Sequence, residues 1–235
     1  MSEPASLFDL WSPVTQDFGL VRGPLAEVAE AYRSLFDPPP LRLDLPAGGA
    51  AEAFQALPPL THAMSRALFL ATASDWVAFF RNGTQGSDPF MPMWHLARRH
   101  GYLSMRVCCM PQGARWPAVI WEVYAPPGLG GDADGRRRSI AASHDGGRWT
   151  FHESGDRFAF ERHEAYGLPR KRDRFTRAML LDYLREFGIP GLDDGLFAEP
   201  AAGRAILVHD ASREGRLPAY SLDEVRRGLP WMRGA

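Results

Sequence analysis

The chain has 235 residues, of which 45% are hydrophobic, 11% aromatic and 23% charged. Those proportions exclude a disordered chain, a collagen-like fibre and a disulfide scaffold, and the length suits one large domain or two small ones. A net charge of −1 at pH 7 supplies no global field to hold a nucleic acid or an anionic membrane, so neither is expected as a partner.

The opening MSEPASLFDLW places acids where a signal peptide needs cations, and no apolar run follows. No stretch reaches the ~18 uncharged apolar residues of a membrane span. Residues 1–22 show no period and are expected to form an irregular arm. Gly23-Pro24 then opens a helix, with Leu25, Val28, Ala29, Tyr32, Leu35 and Phe36 at helical spacing and a proline run as its stop. Residues 41–45 predict a short strand, and 50–57 a brief helix within a loop. Residues 67–71 and 76–80 are apolar strand candidates. Asp88 as cap and Pro89 as first residue predict a helix ending at Gly101. Residues 102–109, 118–125 and 137–143 predict strands. A turn at His144-Asp145-Gly146-Gly147 returns the chain into 148–153. Residues 158–161 suggest one more short strand.

The helix at 176–187 has the clearest signature. Thr176 caps it, Phe175 staples onto Leu180, and Met179, Leu180, Tyr183, Leu184 and Phe187 make one stripe before Gly188. Residues 205–209 predict a strand, and Ser221 with Glu224 a capping box for a last short helix. Strands in hairpins with helices at the ends predict an α+β fold. It is expected to be a single domain over 1–235, with a largely antiparallel sheet packed by helices on one side. Its core is placed at 62–190, and residues 191–235 are placed as a C-terminal extension.

Cys108 and Cys109 are adjacent, which strains a mutual disulfide. Two free thiols and the absent leader predict a cytoplasmic protein. Lys171 is the only lysine among many arginines, a bias expected of a GC-rich bacterial genome.

Four constellations could carry chemistry. His144-Asp145, His152-Glu153 and His163-Glu164 could gather as an acid–base site, although no ligand spacing anchors a metal and none is expected. Asp132-Ala133-Asp134-Gly135 fails the calcium-loop pattern, with Gly130 and Ala141 where acids are needed. The polar glycine loop 82–88 lacks a P-loop lysine and a dinucleotide fingerprint, so no cofactor is expected. Arg136-Arg137-Arg138 and Arg170-Lys171-Arg172-Asp173-Arg174 are basic clusters suited to an acidic protein face. Finally, Glu122 interrupts the apolar run 118–125, and a buried charge needs a partner. Arg106 or Arg138 is expected opposite it, on the face away from Trp121 and Trp149, as a structural pair or as the floor of a binding groove.

The blocks SDWVAFFRNGTQGSDPF, SHDGGRWTF and DRFTRAML resemble those of an uncharacterised bacterial family associated with immunity proteins of polymorphic toxin systems. The matching positions are Trp76, Phe80, Asn82, Gly83, Gly86 and Asp88, then Asp145, Gly146, Gly147, Trp149 and Phe151, then Asp173, Arg174, Phe175 and Thr176. The resemblance implies a cytoplasmic protein that neutralises a toxin domain by binding it. Arg106, Glu122, Arg136, Arg137, Arg138, Arg172 and Arg174 are the candidate partner-binding residues. The alternatives are a hydrolase or nucleotide-acting enzyme using the His144–His163 region, and a structural or regulatory module.

Overall fold

Residues 6–46, 48–197 and 205–229 are described by a computed structural model. The first half of the chain forms α1 (Leu7–Leu10), β1 (Asp17–Arg22), α2 (Leu25–Arg33), β2 (Leu41–Asp44), α3 (Ala50–Phe54), β3 (Leu60–Thr61), β4 (Arg66–Ala71), β5 (Trp76–Arg81) and α4 (Phe90–His100). The second half forms β6 (Ser104–Met110), β7 (Ala118–Tyr124), β8 (Arg136–His144), β9 (Trp149–Gly155), α5 (Arg177–Glu186), β10 (Ala205–His209), β11 (Ala219–Tyr220) and α6 (Leu222–Arg226). A nine-stranded sheet runs in the order β2-β10-β4-β5-β1-β6-β7-β8-β9, and its pairings are antiparallel. This is the expected single-domain α+β architecture.

Helices cover both faces of the sheet rather than the one expected. One face carries Leu20, Phe80, Trp121 and Ile140, which cluster with α3 and α5. The other carries Val21, Phe79 and Val208, which cluster with α2 and α4. Strands buried on both faces have no polar side, so their sequences run apolar without alternating. Unbroken runs still mark β4 and β5 as strands, but β1 is interrupted, and it falls within the stretch expected as an irregular arm, of which residues 1–5 lie outside the described residues. It occupies the centre of the sheet between β5 and β6. Gly19 breaks its apolar run, because a Cβ there would sit 2.7 Å from the Met93 side chain of α4.

The expected C-terminal extension likewise joins the sheet. The apolar run Ala-Ile-Leu-Val of β10 inserts between β2 and β4. Residues 158–161 are not a strand. Glu161 turns inward to Arg138, and its Oε1 also accepts from the Phe158 amide at 2.9 Å. Asp88 does not cap α4; it takes a left-handed backbone (φ 39°), and the helix begins after Pro89 without a side-chain cap.

α5 forms as its sequence dictates. The Thr176 hydroxyl accepts from the Met179 amide, and Met179, Leu180, Tyr183 and Leu184 are buried. On β9, Trp149 and Phe151 pack half-buried against the α5-side core while His152 is exposed on the other face. The intervening turn is held by Asp145 Oδ1, which accepts from the Gly147 and Arg148 amides.

Candidate functional site

On the face shared with α2 and α4, register aligns side chains in rows across the strands. Gly19, Arg106, Glu122, Ser139 and Ser154 make one row, and Asp17, Cys108, Ile120, Ala141 and His152 the next. α4 reaches as far as Tyr124, whose ring meets Phe90 at 6.0 Å. Farther out, Ile120, Ala141, Ser143 and Thr150 are half-buried and His152 is exposed. A cluster of charges stands where the covered half gives way to the open half.

Arg106 is its hub. Its guanidinium donates to Asp17 through Nε at 2.9 Å and Nη2 at 2.8 Å, and Nη1 lies 3.5 Å from Glu122 Oε2. Glu122 also accepts from Tyr124 Oη at 2.9 Å, with Ser139 Oγ 3.5 Å from its other oxygen. The side chains of Arg106, Glu122 and Asp17 are 21%, 12% and 7% exposed. Burial pushes the Asp17 carboxyl above its ordinary value against the pull of Arg106, and the charges of Asp88 and Glu122 push it the same way. Burial, reinforced by the Glu122 carboxylate, lifts the Tyr124 phenol far above its ordinary range, so it serves as a donor.

The expected Glu122–arginine pair is thus present, made by Arg106, on the face opposite Trp121. Asp17 was the missing partner. The bidentate contact it makes is the shorter and stronger one, and only recognition of β1 would have revealed it. Replacing Glu122 by glutamine keeps the Tyr124 hydrogen bond and leaves Arg106 clamped by Asp17. Chemical denaturation should show a loss of about 1 kcal/mol for Glu122→Gln. Asp17→Asn should cost more, because it leaves a part-buried guanidinium short of charge. A larger loss for Glu122→Gln than for Asp17→Asn would mean that Glu122, not Asp17, anchors Arg106.

Arg138 does not face Glu122. Register sets Ser139 opposite Glu122 and Arg138 opposite Val123, which turns Arg138 to the α5 side. There it is 1% exposed and pairs with Glu161 and Glu153. It is an internal anchor that a partner cannot touch, which corrects its place among the binding candidates.

The other candidate arginines border β9. A bulge at Val123/Tyr124 brings Arg136 opposite Tyr124, where it is exposed. Arg137 donates to the Asp156 carbonyl and stacks on Phe158. Arg174 donates to the Leu168 carbonyl and lies over Phe151. Arg172 is exposed beside Asp173 at 3.7 Å.

The three His-acid pairs are spread apart. His144 meets Trp149 on the α5 side, His152 lies on the opposite face, and His163 is exposed in a single 3-10 turn. Among the described residues no three His, Cys, Asp or Glu side chains converge to hold a metal.

The loop 82–88 is internally satisfied. Asn82 is buried, accepts from the Arg66 amide and donates to the Pro59 carbonyl. Ser87 donates to the Val14 carbonyl, and a Cβ on Gly83 would strike the Gly86 carbonyl at 2.0 Å. It fastens the segment before β1 to the end of β5. No described helix is long and apolar enough to cross a membrane. Compared with protein-family models, curated proteins and solved structures, the chain finds no significant match.

Proposed function

We propose that the protein binds the acidic face of a protein partner along β9 and its basic border, and that the partner is a toxin domain it neutralises. The observation that carries this reading is a charge asymmetry. Residues 136–185 hold twelve lysines and arginines against seven aspartates and glutamates, whereas the whole chain is at −1. Among the exposed cations of that segment, Arg136 lies at the start of β8, Arg148 at the hairpin tip and Arg172 beside β9. Among the described residues β9 is a terminal strand of the sheet, with no strand paired on its outer side, and such edges take up partners readily. The resemblance to immunity proteins supplies the toxin; the charge pattern supplies the docking chemistry.

The test purifies the proteins encoded beside this gene and titrates each against the full chain, with a toxin domain among them as the expected binder. Rim charges act on the rate of encounter. The double reversal Arg136→Glu/Arg172→Glu should therefore slow association about tenfold while the melting temperature stays put. Co-expression should rescue cells from the toxin with the natural chain and less well with the variant. Absence of binding, or a variant that associates at the natural rate, overturns the proposal.

A further inference from the structure

A cleft of about 690 Å³ opens between α1 and α5, on the sheet face opposite the Arg106 cluster. Its α5 wall is one stripe: Arg177, Leu181 and Arg185 follow each other at intervals of four and all line it. Phe8 and Leu192 supply apolar surface, Ser12 and Gln16 polar surface, and Cys109 reaches it from β6.

Arg177 is exposed on the wall of the cleft. It is the first residue of α5, after the Thr176 cap, and the first turn carries no acid. That end of a helix is already positive, and an anion is what stabilises it. Among the described residues Arg177 makes no ion pair; it shares the cleft wall with Cys109, and its charge pulls on that thiol. Burial holds that thiol above its ordinary value against the pull of Arg177, so it remains a neutral SH and cancels no charge. Arg185 gives Nη1 to Asp182 at 2.7 Å. The two acids on the rim are engaged within their own turns: Asp9 accepts from Ser6 Oγ at 2.8 Å, and Asp193 from the Gly195 amide at 3.0 Å.

We propose that this cleft binds a small organic anion, a carboxylate or phosphate ester carried on an apolar body. Its oxyanion sits on the Arg177 guanidinium, whose fork matches such groups, with Arg185 as the second cation. Its body lies between Phe8, Leu181 and Leu192. The volume is that of sites for drug-sized molecules. The inference stands independently of the toxin reading.

Calorimetric titration of the full chain with 2-naphthoate, 2-naphthyl phosphate and the neutral 2-naphthamide tests it. At least one anion should bind about tenfold or more tighter than the amide, and the tighter of the two assigns the oxyanion. Arg177→Gln removes a cation from a positive helix end, so it should fold normally and abolish the discrimination. Bound anion should also slow iodoacetamide alkylation of Cys109 several-fold, while the enclosed Cys108 stays unreactive throughout. Failure of both anions to bind, equal binding of anion and amide, an unaltered Arg177→Gln titration or unprotected Cys109 each overturns the proposal.

Discussion

Arg138→Met should destabilise the protein by about 3–5 kcal/mol, the range for removing one partner from a buried ion pair. Arg138 Nε donates to Glu161 Oε1 at 2.9 Å and Nη2 to Oε2 at 2.6 Å. Nη1 donates to the Ser154 and Gly155 carbonyls at 3.0 and 3.1 Å, and Nη2 also reaches Glu153. The Glu161 side chain is 0% exposed. It accepts further from Tyr166 Oη, which is 3.0 Å from Tyr183 Oη on α5. Methionine would fill the space but strand this carboxylate and two carbonyls without a cation. The cost should fall chiefly on the segment between β9 and α5, where hydrogen exchange should accelerate first. The double variant Arg138→Met/Glu161→Leu removes both charges and should recover much of the loss, since apolar replacements of buried pairs are often near neutral. Urea denaturation of the four species gives the coupling. A single-variant cost below about 1 kcal/mol would show that the pair is solvated and the segment loosely held.

Leu184→Ala and Leu180→Ala should each cost about 2–5 kcal/mol, the range for emptying a packed aliphatic site. Both are fully buried in the core cluster that contains Trp121 and Ile140. Aromatic rings crowd the same helix, with Tyr183 5.5 Å from Trp121 and 5.7 Å from Phe175, so little collapse can refill a void. Leu181 on the cleft side is only half-buried, and its truncation should cost clearly less. A melting temperature unmoved by either core variant would place α5 at the periphery.

α5 was legible because every local signal agreed: a capping threonine, a 3.6-residue stripe and a terminal glycine. The outer strands were legible for a different reason. β9 has one wet face, so Trp149 and Phe151 alternate with Thr150 and His152, and that alternation assigns sides. It also placed Glu122 and Trp121 on opposite faces. The central strands lost this information because both of their faces are covered. β4 and β5 still showed as unbroken apolar runs, but Gly19 and the flanking charges break up β1, which stayed hidden, and with it Asp17, the stronger partner of Arg106.

Arg138 failed for a narrower reason. Strand pairing off by one residue moves a side chain through the sheet, and the bulge at Val123/Tyr124 has no mark in the sequence. Asp88-Pro89 carries the residues of a helix start, yet Asp88 takes a left-handed backbone there. The cleft beside α5 was not legible at all, since its walls come from residues 6–16, 109–111, 177–185 and 190–193.

The position of β1 has a consequence during synthesis. β6 through β9 form a meander of neighbours, and β4 with β5 a hairpin, so each group can pair as it emerges. β1 alone joins them, because β5 and β6 both pair with it and not with each other. It leaves the ribosome before either. At about 5–20 residues per second, it waits several seconds for β5 and longer for β6, with both edges and both apolar faces unpartnered. During that interval the nascent chain exposes a strand whose final partners on both edges are still to be made, a state open to non-native strand pairing.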